Sequence, residues 1–448
     1  MSRVSGSCYS LLAINSLIYM KTINLCFRVH QRYNLKRYRF FEIGNDHYYY
    51  DDYANESAMA AAVDQSYLEA NRMLLDMIKS SNGRFRVSFS ISGLALEQFE
   101  QYAPEVIESF QELAKTGSVE FLATPYGHSL AALYNDDEFA MQVKMQADKI
   151  QELFGKRPTV FANSGLLFSD EIADKVYRMG YKTIMIEDAK HVMGWKSAHY
   201  VYSSIANPKA KLLVRDSKLS DDINYRFSQW GWCEYPLTAE KFIDWVNSSP
   251  AEEEVFNIFL GYEALGQLNS KQSGIFEFFK ALPYHAIEKG MTFSTPSKTI
   301  ENFKPVDTLS ALYPRSWTDE EKDISAWCGN DLQNEALNKL YNLAERVHLC
   351  TDPLLKLDWQ RLQDTSHFFF MTTKHYSNGV VLAQNIPYES PYEAFMNYMN
   401  VLSDFIERVN AQYPTSIENE ELNALLKTIY NQGQEIEELK TKLKKTKK

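Results

Sequence analysis

Several predicted strand ends carry the side chains that could do chemistry in this sequence. The first strand runs out at His30-Gln31, and the segment after the third strand ends in a second imidazole, His128. If both ends share one rim of a barrel, they form a polar pocket, although a histidine at a strand end also serves a structural role. Two further strand ends, at Ser164 and at Gly261, offer no acid. These two positions distinguish an enzyme from a related binding protein, because active sites of such barrels are built at the carboxyl ends of the strands.

Other candidate residues follow later strands. Asp222 ends the run Arg215 to Asp222, where the acids could bind a ligand or cap the start of a helix. Trp327 could be a core residue or a platform for a sugar ring, and Asn330 and Asp331 stand beside it. The sequence contains no glycine-rich phosphate loop, Walker motif or HExxH pattern, so we expect no cofactor and no metal.

Strands and amphipathic helices alternate through most of the chain. The predicted strands are residues 23–30, 86–92, 119–125, 160–164, 183–188, 212–216, 255–261 and 291–294, and clear helices between them are residues 105–115, 139–154 and 170–179. Repeated strand–helix units predict a parallel sheet, either closed into a barrel or doubly wound. Near-continuous apolar strands such as Val255–Leu260 are typical of a sheet buried on both faces.

A change in composition near residues 300–318 separates this pattern from a helical region. Apolar residues recur there at spacings of three and four, as in residues 332–347 and 392–409. After Pro414 the residues Leu422, Leu425, Ile429, Gln432, Ile436, Leu439 and Leu443 follow heptad spacing. This pattern predicts a coiled coil that joins copies of the chain, with a lone helix as the alternative.

Composition excludes some classes of function. The 448 residues carry a net charge of −11, which excludes nucleic acid as the expected partner. No segment is apolar enough to span a membrane, and the five cysteines fit no zinc or redox spacing, which indicates reduced thiols and a cytoplasmic protein. The 28 Tyr, 26 Phe and 7 Trp indicate either a tyrosine-rich core or aromatic surfaces that stack on sugars.

Motifs in a fixed order resemble glycoside hydrolase family 57, and within it the α-amylase-like group. The matching segments cover residues 21–412 and are residues 29–31, 124–128, 219–228, 261–266, 274–279, 323–333 and 390–395. The resemblance implies an α/β fold, an incomplete TIM-type (β/α)7 barrel followed by a helical C-terminal region, and α-glucan as the substrate class. We therefore expect the barrel over residues 20–304 and a helical bundle over 305–413. The two ends lie outside the resemblance: we expect residues 1–19 to be disordered or to precede the true start at Met20, and residues 414–448 to form the coiled-coil helix.

The resemblance also implies which residues are missing. The family hydrolyses α-glucosidic bonds with retention, which requires two carboxyls about 5–5.5 Å apart. Ser164 stands at the position of the nucleophilic Glu, and Gly261 stands at the position of the acid/base Asp. A serine hydroxyl is a poor nucleophile without a base, and glycine donates no proton.

Three hypotheses follow. The first is a non-catalytic protein that binds maltooligosaccharide, glycogen or starch in glycogen or starch metabolism, through His30, Gln31, His128, Asp222, Glu263, Trp327, Asn330 and Asp331. The second is an active retaining α-amylase or glucanotransferase with a relocated carboxylate pair, for which the candidate acids are Glu263, Glu187, Asp188, Asp216, Asp221 and Asp222. The third is an oligomeric scaffold that acts through residues 415–448.

Overall fold

The computed structural model describes residues 20–376 and 386–413, and scattered positions between 425 and 440. The extension predicted over residues 1–19 lies outside the described residues. In the predicted coiled coil the described positions are helical, and Leu425, Ile429, Ile436 and Leu439 are each more than half exposed. Assembly through this helix remains a prediction.

The described residues form one large sheet of ten strands. In chain order they are β1 Thr22–Val29, β2 Val87–Ile91, β3 Val119–Leu122, β4 Val160–Ala162, β5 Thr183–Glu187, β6 Val201–Ser204, β7 Lys211–Arg215, β8 Val255–Gly261, β9 Thr292–Ser294 and β10 Asp307–Leu309.

Seven of these strands close into a parallel barrel in the order β1, β2, β3, β4, β5, β7, β8. The contact between β3 and β4 is a single parallel bridge at Ala123 and Phe161, and the contact between β7 and β8 is a single pair at Arg215 and Asn257. The predicted (β/α)7 barrel is confirmed. Each barrel strand lies within a few residues of its prediction, because strands buried on both faces are rich in apolar residues.

Two strands were not predicted. β6 runs antiparallel to β7 outside the barrel order, and β10 pairs with β6. The sequence of β6, Val-Tyr-Ser-Ser, is short and half polar, so it lacks the apolar run that revealed the barrel strands.

The helices surround the barrel and continue beyond it. They are α1 Asp52–Ala62, α2 Leu68–Ser80, α3 Gly93–Tyr102, α4 Pro104–Lys115, α5 Ala131–Tyr134, α6 Asp136–Phe154, α7 Asp170–Arg178, α8 Lys190–Met193, α9 Ser217–Asp221, α10 Ala239–Ser248, α11 Ile275–Glu288, α12 Pro296–Asn302, α13 Ser325–Cys328, α14 Asp331–Tyr341, α15 Ala344–Leu349, α16 Pro353–Leu362, α17 Thr365–Phe369 and α18 Pro391–Gln412. None of the helices in the described part of the chain is long and apolar enough to cross a membrane.

The helical region shares its core with one side of the barrel. A single apolar cluster contains Phe161 of β4, Phe139 of α6, Trp359 of α16 and Val401 of α18. A polar core lies nearby, where the buried Glu138 accepts hydrogen bonds from Gln142, Gln360, Gln363 and His348. Barrel and helical region are therefore joined by packing as well as by the chain.

The tyrosines between β1 and α1 are mainly core residues. Tyr33, Tyr38, Tyr49 and Tyr50 are each buried and pack on one another. This cluster supports the tyrosine-rich core as one explanation of the aromatic content.

Candidate functional site

A cavity of about 730 Å³ opens at the carboxyl ends of the barrel strands. Its lining comes from the ends of β1, β3, β4, β7 and β8, from the segment between β1 and α2, and from the region beyond the barrel. The lining residues are Arg28, His30, Gln31, Arg32, Asn34, Leu35, Arg37, Asp51, Ala54, Ala58, Ala61, Gln65, Tyr67, His128, Gly165, Tyr225, Glu263, Gln267, Trp317, Thr318, Trp327, Thr365, Ser366, Phe369, Pro387 and Tyr388. We call this cavity the cleft. Its position is the one at which barrel enzymes bind their ligands.

Two stacked imidazoles form one wall of the cleft. The rings of His30 and His128 lie 4.1 Å apart between centroids, with an angle of 17° between their planes. Nδ1 of His30 lies 2.9 Å from Oγ of Ser92, and Nδ1 of His128 lies 2.8 Å from Oγ1 of Thr365. Both Nε2 atoms are therefore free to face other groups.

The backbone at His128 is held in a conformation that few residues with a side chain adopt. Its φ is 50°, in the left-handed region. The turn is fixed from both sides, because the amide of His128 donates to Pro125 and its carbonyl accepts from Thr365. Such strain usually persists only where the surroundings enforce it, and it is concentrated at functional sites.

Asp364 reaches the two imidazoles from the helical region. Its Oδ1 accepts a hydrogen bond of 2.8 Å from the amide of Ser366, which caps the start of α17, and its Oδ2 lies 3.1 Å from Nε2 of His30. Although burial disfavours its charge, the neighbouring His30, His367 and His128 hold the pKa of Asp364 well below its usual value. Burial, His30 and Arg28 lower the pKa of His128. An anionic Asp364 thus lies beside a neutral His128.

At the end of β8 the carboxylate of Glu263 occupies the space where a side chain at residue 261 would stand. A Cβ placed on Gly261 would overlap the carboxylate of Glu263. That carboxylate pairs with Arg28, which is the direct neighbour of Gly261 in the register of β1 and β8. Although residue 261 has no carboxyl, the carboxyl of Glu263 therefore lies directly beside it.

Ser164 is buried beside the cleft and does not line it. The residue is 1% exposed, and its Oγ has no hydrogen-bond partner among the described residues. The next residue, Gly165, has a φ of 55°, and a Cβ there would meet the ring of Trp327. Glycine is required at residue 165 for both reasons, and Trp327 packs on the turn that carries Ser164.

Trp317 is a lining residue that sequence reasoning missed. The guanidinium carbons of Arg28 and Arg215 lie 5.1 and 5.0 Å from the centre of its ring, and Phe259 meets its edge. Its ring is half-buried, so one part packs and the other faces the cleft. The available signal is a tryptophan in the polar segment near residues 300–318, where the composition of the chain changes.

A buried charge network supports this wall. Arg215 lies 3.2 Å from Glu187 and 2.5 Å from Asp221, and Lys322 lies 2.9 Å from Glu187. Burial raises the pKa of Glu187 to about 7, against the opposing effect of Arg215 and Lys322. The network joins the ends of β5 and β7 to the segment that carries Trp317.

The structure brings five of the predicted binding residues into the cleft and leaves three outside its lining. Those in the lining are His30, Gln31, His128, Glu263 and Trp327. Asp222 is 2% exposed and pairs with Arg226 one helical turn later. Asn330 caps α14 through a bond from the amide of Gln333, and Asp331 is exposed on the first turn of that helix. Asp222, Asn330 and Asp331 therefore have local partners or face solvent, as polar residues at helix starts commonly do.

The cleft has the chemistry of a binding site for a polar ring. Among its described lining residues only Asp51 and Glu263 carry a carboxyl, and Asp51 caps α1 by accepting from the amide of Ala54. Trp317 offers an aromatic face and the arginines offer hydrogen bonds, whereas Trp327 touches the cleft but is 3% exposed and packs in the apolar core. An aromatic face with polar groups at its edge suits the apolar face and hydroxyls of a sugar.

Comparison with known proteins gives consistent results. The model of a family described as glycosyl hydrolase family 57 matches residues 24–312. A curated relative described as a putative alpha-amylase, from Methanocaldococcus jannaschii, is 32% identical over 397 residues, which are 86% of this chain and 84% of the relative.

Solved structures share the fold at low identity. A 4-alpha-glucanotransferase from Thermococcus litoralis superimposes with a TM-score of 0.61 at 14% identity, over 85% of this chain and 59% of that longer chain. A branching enzyme from Pyrococcus horikoshii gives a TM-score of 0.60 at 15% identity, over 92% and 95% of the two chains.

Proposed function

Because this chain belongs to glycosyl hydrolase family 57, we propose that it is an α-amylase-like member that binds α-glucan in its cleft and does not hydrolyse it. The observation that carries the proposal is the pair Ser164 and Gly261, which supplies no carboxyl at either strand end where the family resemblance implies one.

The surroundings of both positions support the loss of hydrolysis. Ser164 is shut away from the cleft by the turn under Trp327, so its hydroxyl has no path to a glycosidic carbon. At Gly261 the acid is missing, and the nearby Glu263 is engaged by Arg28. Removing general acid help alone typically costs about 10²–10⁴-fold in rate.

The surroundings also support retained binding. The cleft has a volume of about 730 Å³, enough for a short oligosaccharide, and the half-buried Trp317 presents aromatic surface to it. Gln31 also lines the cleft and would donate to or accept from sugar hydroxyls through its side-chain amide.

Calorimetric titration with maltoheptaose tests binding, and chromatography of the incubated sugar tests hydrolysis. We expect saturable heat and unchanged maltoheptaose. No heat at millimolar ligand would contradict glucan binding, whereas shorter sugars in the incubation would contradict the absence of catalysis. A Ser164→Glu/Gly261→Asp variant is the matched comparison, since it restores both carboxyls, and we expect its turnover to exceed that of the wild type.

A second candidate is a slow hydrolase or transferase that uses Glu263 as its acid. The observation in its favour is the carboxylate of Glu263 in the space left at Gly261. Any wild-type turnover would then fall by about 10²-fold or more in Glu263→Gln, and an Asp51→Asn variant would show whether the other lining carboxyl contributes. Turnover that survives Glu263→Gln would exclude this candidate.

The cellular setting belongs to the same proposal. Glycogen or starch metabolism in the cytoplasm suits an acidic protein whose described cysteines, Cys26, Cys233, Cys328 and Cys350, are all free. A third candidate role is a scaffold that assembles through residues 415–448, and the exposed Leu425, Ile429, Ile436 and Leu439 favour it.

A further inference from the structure

Three buried atoms without hydrogen-bond partners converge at the floor of the cleft. They are Nε2 of His30, Nε2 of His128 and Oδ2 of Asp364, and none has a hydrogen-bond partner among the described residues. One ligand atom from each of the three side chains lies within 4.8 Å of the other two. Nε2 of His30 and Oδ2 of Asp364 are 3.1 Å apart, which is an ion-pair distance, but they do not form a hydrogen bond. Buried polar atoms are nearly always satisfied, so a cluster of three calls for a missing partner.

Each of the three side chains is oriented by its other polar atom. The Nδ1 atoms of His30 and His128 contact the hydroxyls of Ser92 and Thr365, and Oδ1 of Asp364 accepts from the amide of Ser366. When Nδ1–H of an imidazole donates to a hydroxyl, the lone pair is on Nε2, which points into the cluster. Histidines that bind metals are typically oriented in this way by a second contact.

We propose that His30, His128 and Asp364 form a binding site for one divalent transition-metal ion, with Zn²⁺ as the best match. Two imidazoles and a carboxylate are the ligands that zinc prefers, whereas Ca²⁺ and Mg²⁺ prefer all-oxygen sites. Three protein ligands leave a fourth position open for water or for a ligand hydroxyl in the cleft.

Bringing the ion in requires a small local movement. Ligand atoms of a tetrahedral zinc site lie about 3.3 Å apart, given bonds of about 2.0–2.1 Å. The 3.1 Å between His30 and Asp364 already matches this spacing, and the nearly parallel imidazoles must tilt so that their Nε2 atoms turn toward each other. The side chains of His30 and Asp364 are 9% and 0% exposed and His128 is buried as well, so the movement is a small rotation of rings and carboxylate within the floor of the cleft.

The chain offers a matched control. A second group of acids, Asp319, Glu321 and Asp323, lies within similar distances, but Lys374 already pairs with Asp319 and Glu321. The ammonium group of Lys374 thus supplies the positive charge at this second group of acids, and we expect it to bind no metal. A Glu321→Gln variant removes one carboxylate of this second group and leaves the proposed site intact.

The test is a titration of chelator-stripped full-length protein with Zn²⁺ alone, without sugar, followed by calorimetry. We expect one ion per chain, an affinity at least about tenfold lower in His30→Gln and in Asp364→Asn, and no change in Glu321→Gln. Asp364→Asn keeps the oxygen that caps α17, and a melting curve confirms that each variant is folded.

A second measurement keeps the proposal testable if a variant fails to fold. Wild-type protein loaded with Co²⁺ should show the visible absorption of a low-symmetry nitrogen–oxygen site, and Zn²⁺ should displace it. No uptake of either ion, or uptake that persists unchanged in both variants, would overturn the proposal. Because no sugar is present, neither outcome depends on glucan binding.

Discussion

At the level of single residues, Trp317 shows how the cleft wall is made rigid. Two guanidiniums, from Arg28 and Arg215, lie about equally close to its ring, at 5.1 and 5.0 Å. Both arginines are themselves held by acids, Glu263 and Glu187, so the ring is fixed before any ligand arrives. A preorganised aromatic face loses little conformational entropy on binding. We therefore expect Trp317 to contribute more to the free energy of ligand binding than any other single residue of the cleft.

Trp317→Ala should therefore weaken maltoheptaose binding by about tenfold, since truncating an aromatic anchor in a binding site typically costs more than about 1 kcal/mol. Calorimetry measures the change. Trp195→Ala is the control, because Trp195 is 91% exposed and does not line the cleft. Equal affinities of the wild type and Trp317→Ala would show that this ring does not contribute to binding.

At the level of elements, a buried carboxylate makes several of the contacts between the segment that joins β1 to α1 and the C-terminal helix α18. Asp404 accepts hydrogen bonds from the amide of Gly44 at 2.7 Å and from the hydroxyl of Tyr49 at 2.6 Å, and its Oδ2 lies 2.9 Å from Nδ1 of His47. This segment also supplies lining residues such as Asn34 and Arg37. The position of that wall thus depends on α18.

Replacing Asp404 by Ala should lower the free energy of unfolding by about 1–3 kcal/mol, because the buried hydroxyl of Tyr49 loses its acceptor. Denaturant melting measures the loss. Glu407→Ala, in the same helix at an exposed position, should change the stability much less. If both variants melted alike, Asp404 would not hold this segment.

A second junction between elements is pH-dependent. His199, which precedes β6, lies 2.7 Å from Asp216 after β7 and 2.5 Å from Glu253 before β8, and its ring stacks on Phe256. Burial alone would lower the pKa of His199, but the hydrogen bonds and charges of Asp216 and Glu253 raise it above its usual value. The ionic contact is therefore complete when the imidazole is protonated.

A pKa that is raised in the folded state contributes stability that is fully present below the unfolded value of about 6.5 and is lost as the pH rises through the folded value. The difference in unfolding free energy between the wild type and His199→Gln should thus be about 1–3 kcal/mol near pH 6 and should shrink toward pH 9. Urea melts at both pH values measure it. A difference that grows with pH would refute the assignment.

At the scale of the whole molecule, the barrel and the helical region form one packed unit. They share an apolar cluster, and the helical region supplies Trp327, Asp364 and Thr365 to the cleft or its floor. The tail is different, since its described apolar positions are more than half exposed. Exposed apolar residues at heptad spacing on one chain are expected to pack against the same residues of a second copy.

Deletion of residues 415–448 should reduce the mass in solution to that of a single chain and leave the melting temperature of the rest nearly unchanged. Light scattering measures the mass. Substituting Leu425 and Ile429 by Asp in the full chain should have the same effect, since charges oppose burial of the stripe. An unchanged mass in both cases would exclude assembly through the tail.

The strand pattern and the polar strand ends were readable from the sequence. Barrel strands such as Val255–Gly261 are buried on both faces and mainly apolar, so their positions follow largely from hydrophobicity. His30, His128 and Ser164 could be placed on one rim, because parallel strands end on the same side of a barrel.

Contacts between distant segments could not be read in this way. Three contacts depend on how the helical region and the strand ends pack in three dimensions. They are the contact of Asp364 with His30, the contacts of two arginines with Trp317, and the contact of the Glu263 carboxylate with Gly261. Sequence spacing says nothing about side chains separated by hundreds of residues or about rotamers. The sequence by itself therefore determined the barrel and the absence of acids at Ser164 and Gly261, whereas only the tertiary structure decided which groups surround those positions, since that depends on long-range packing.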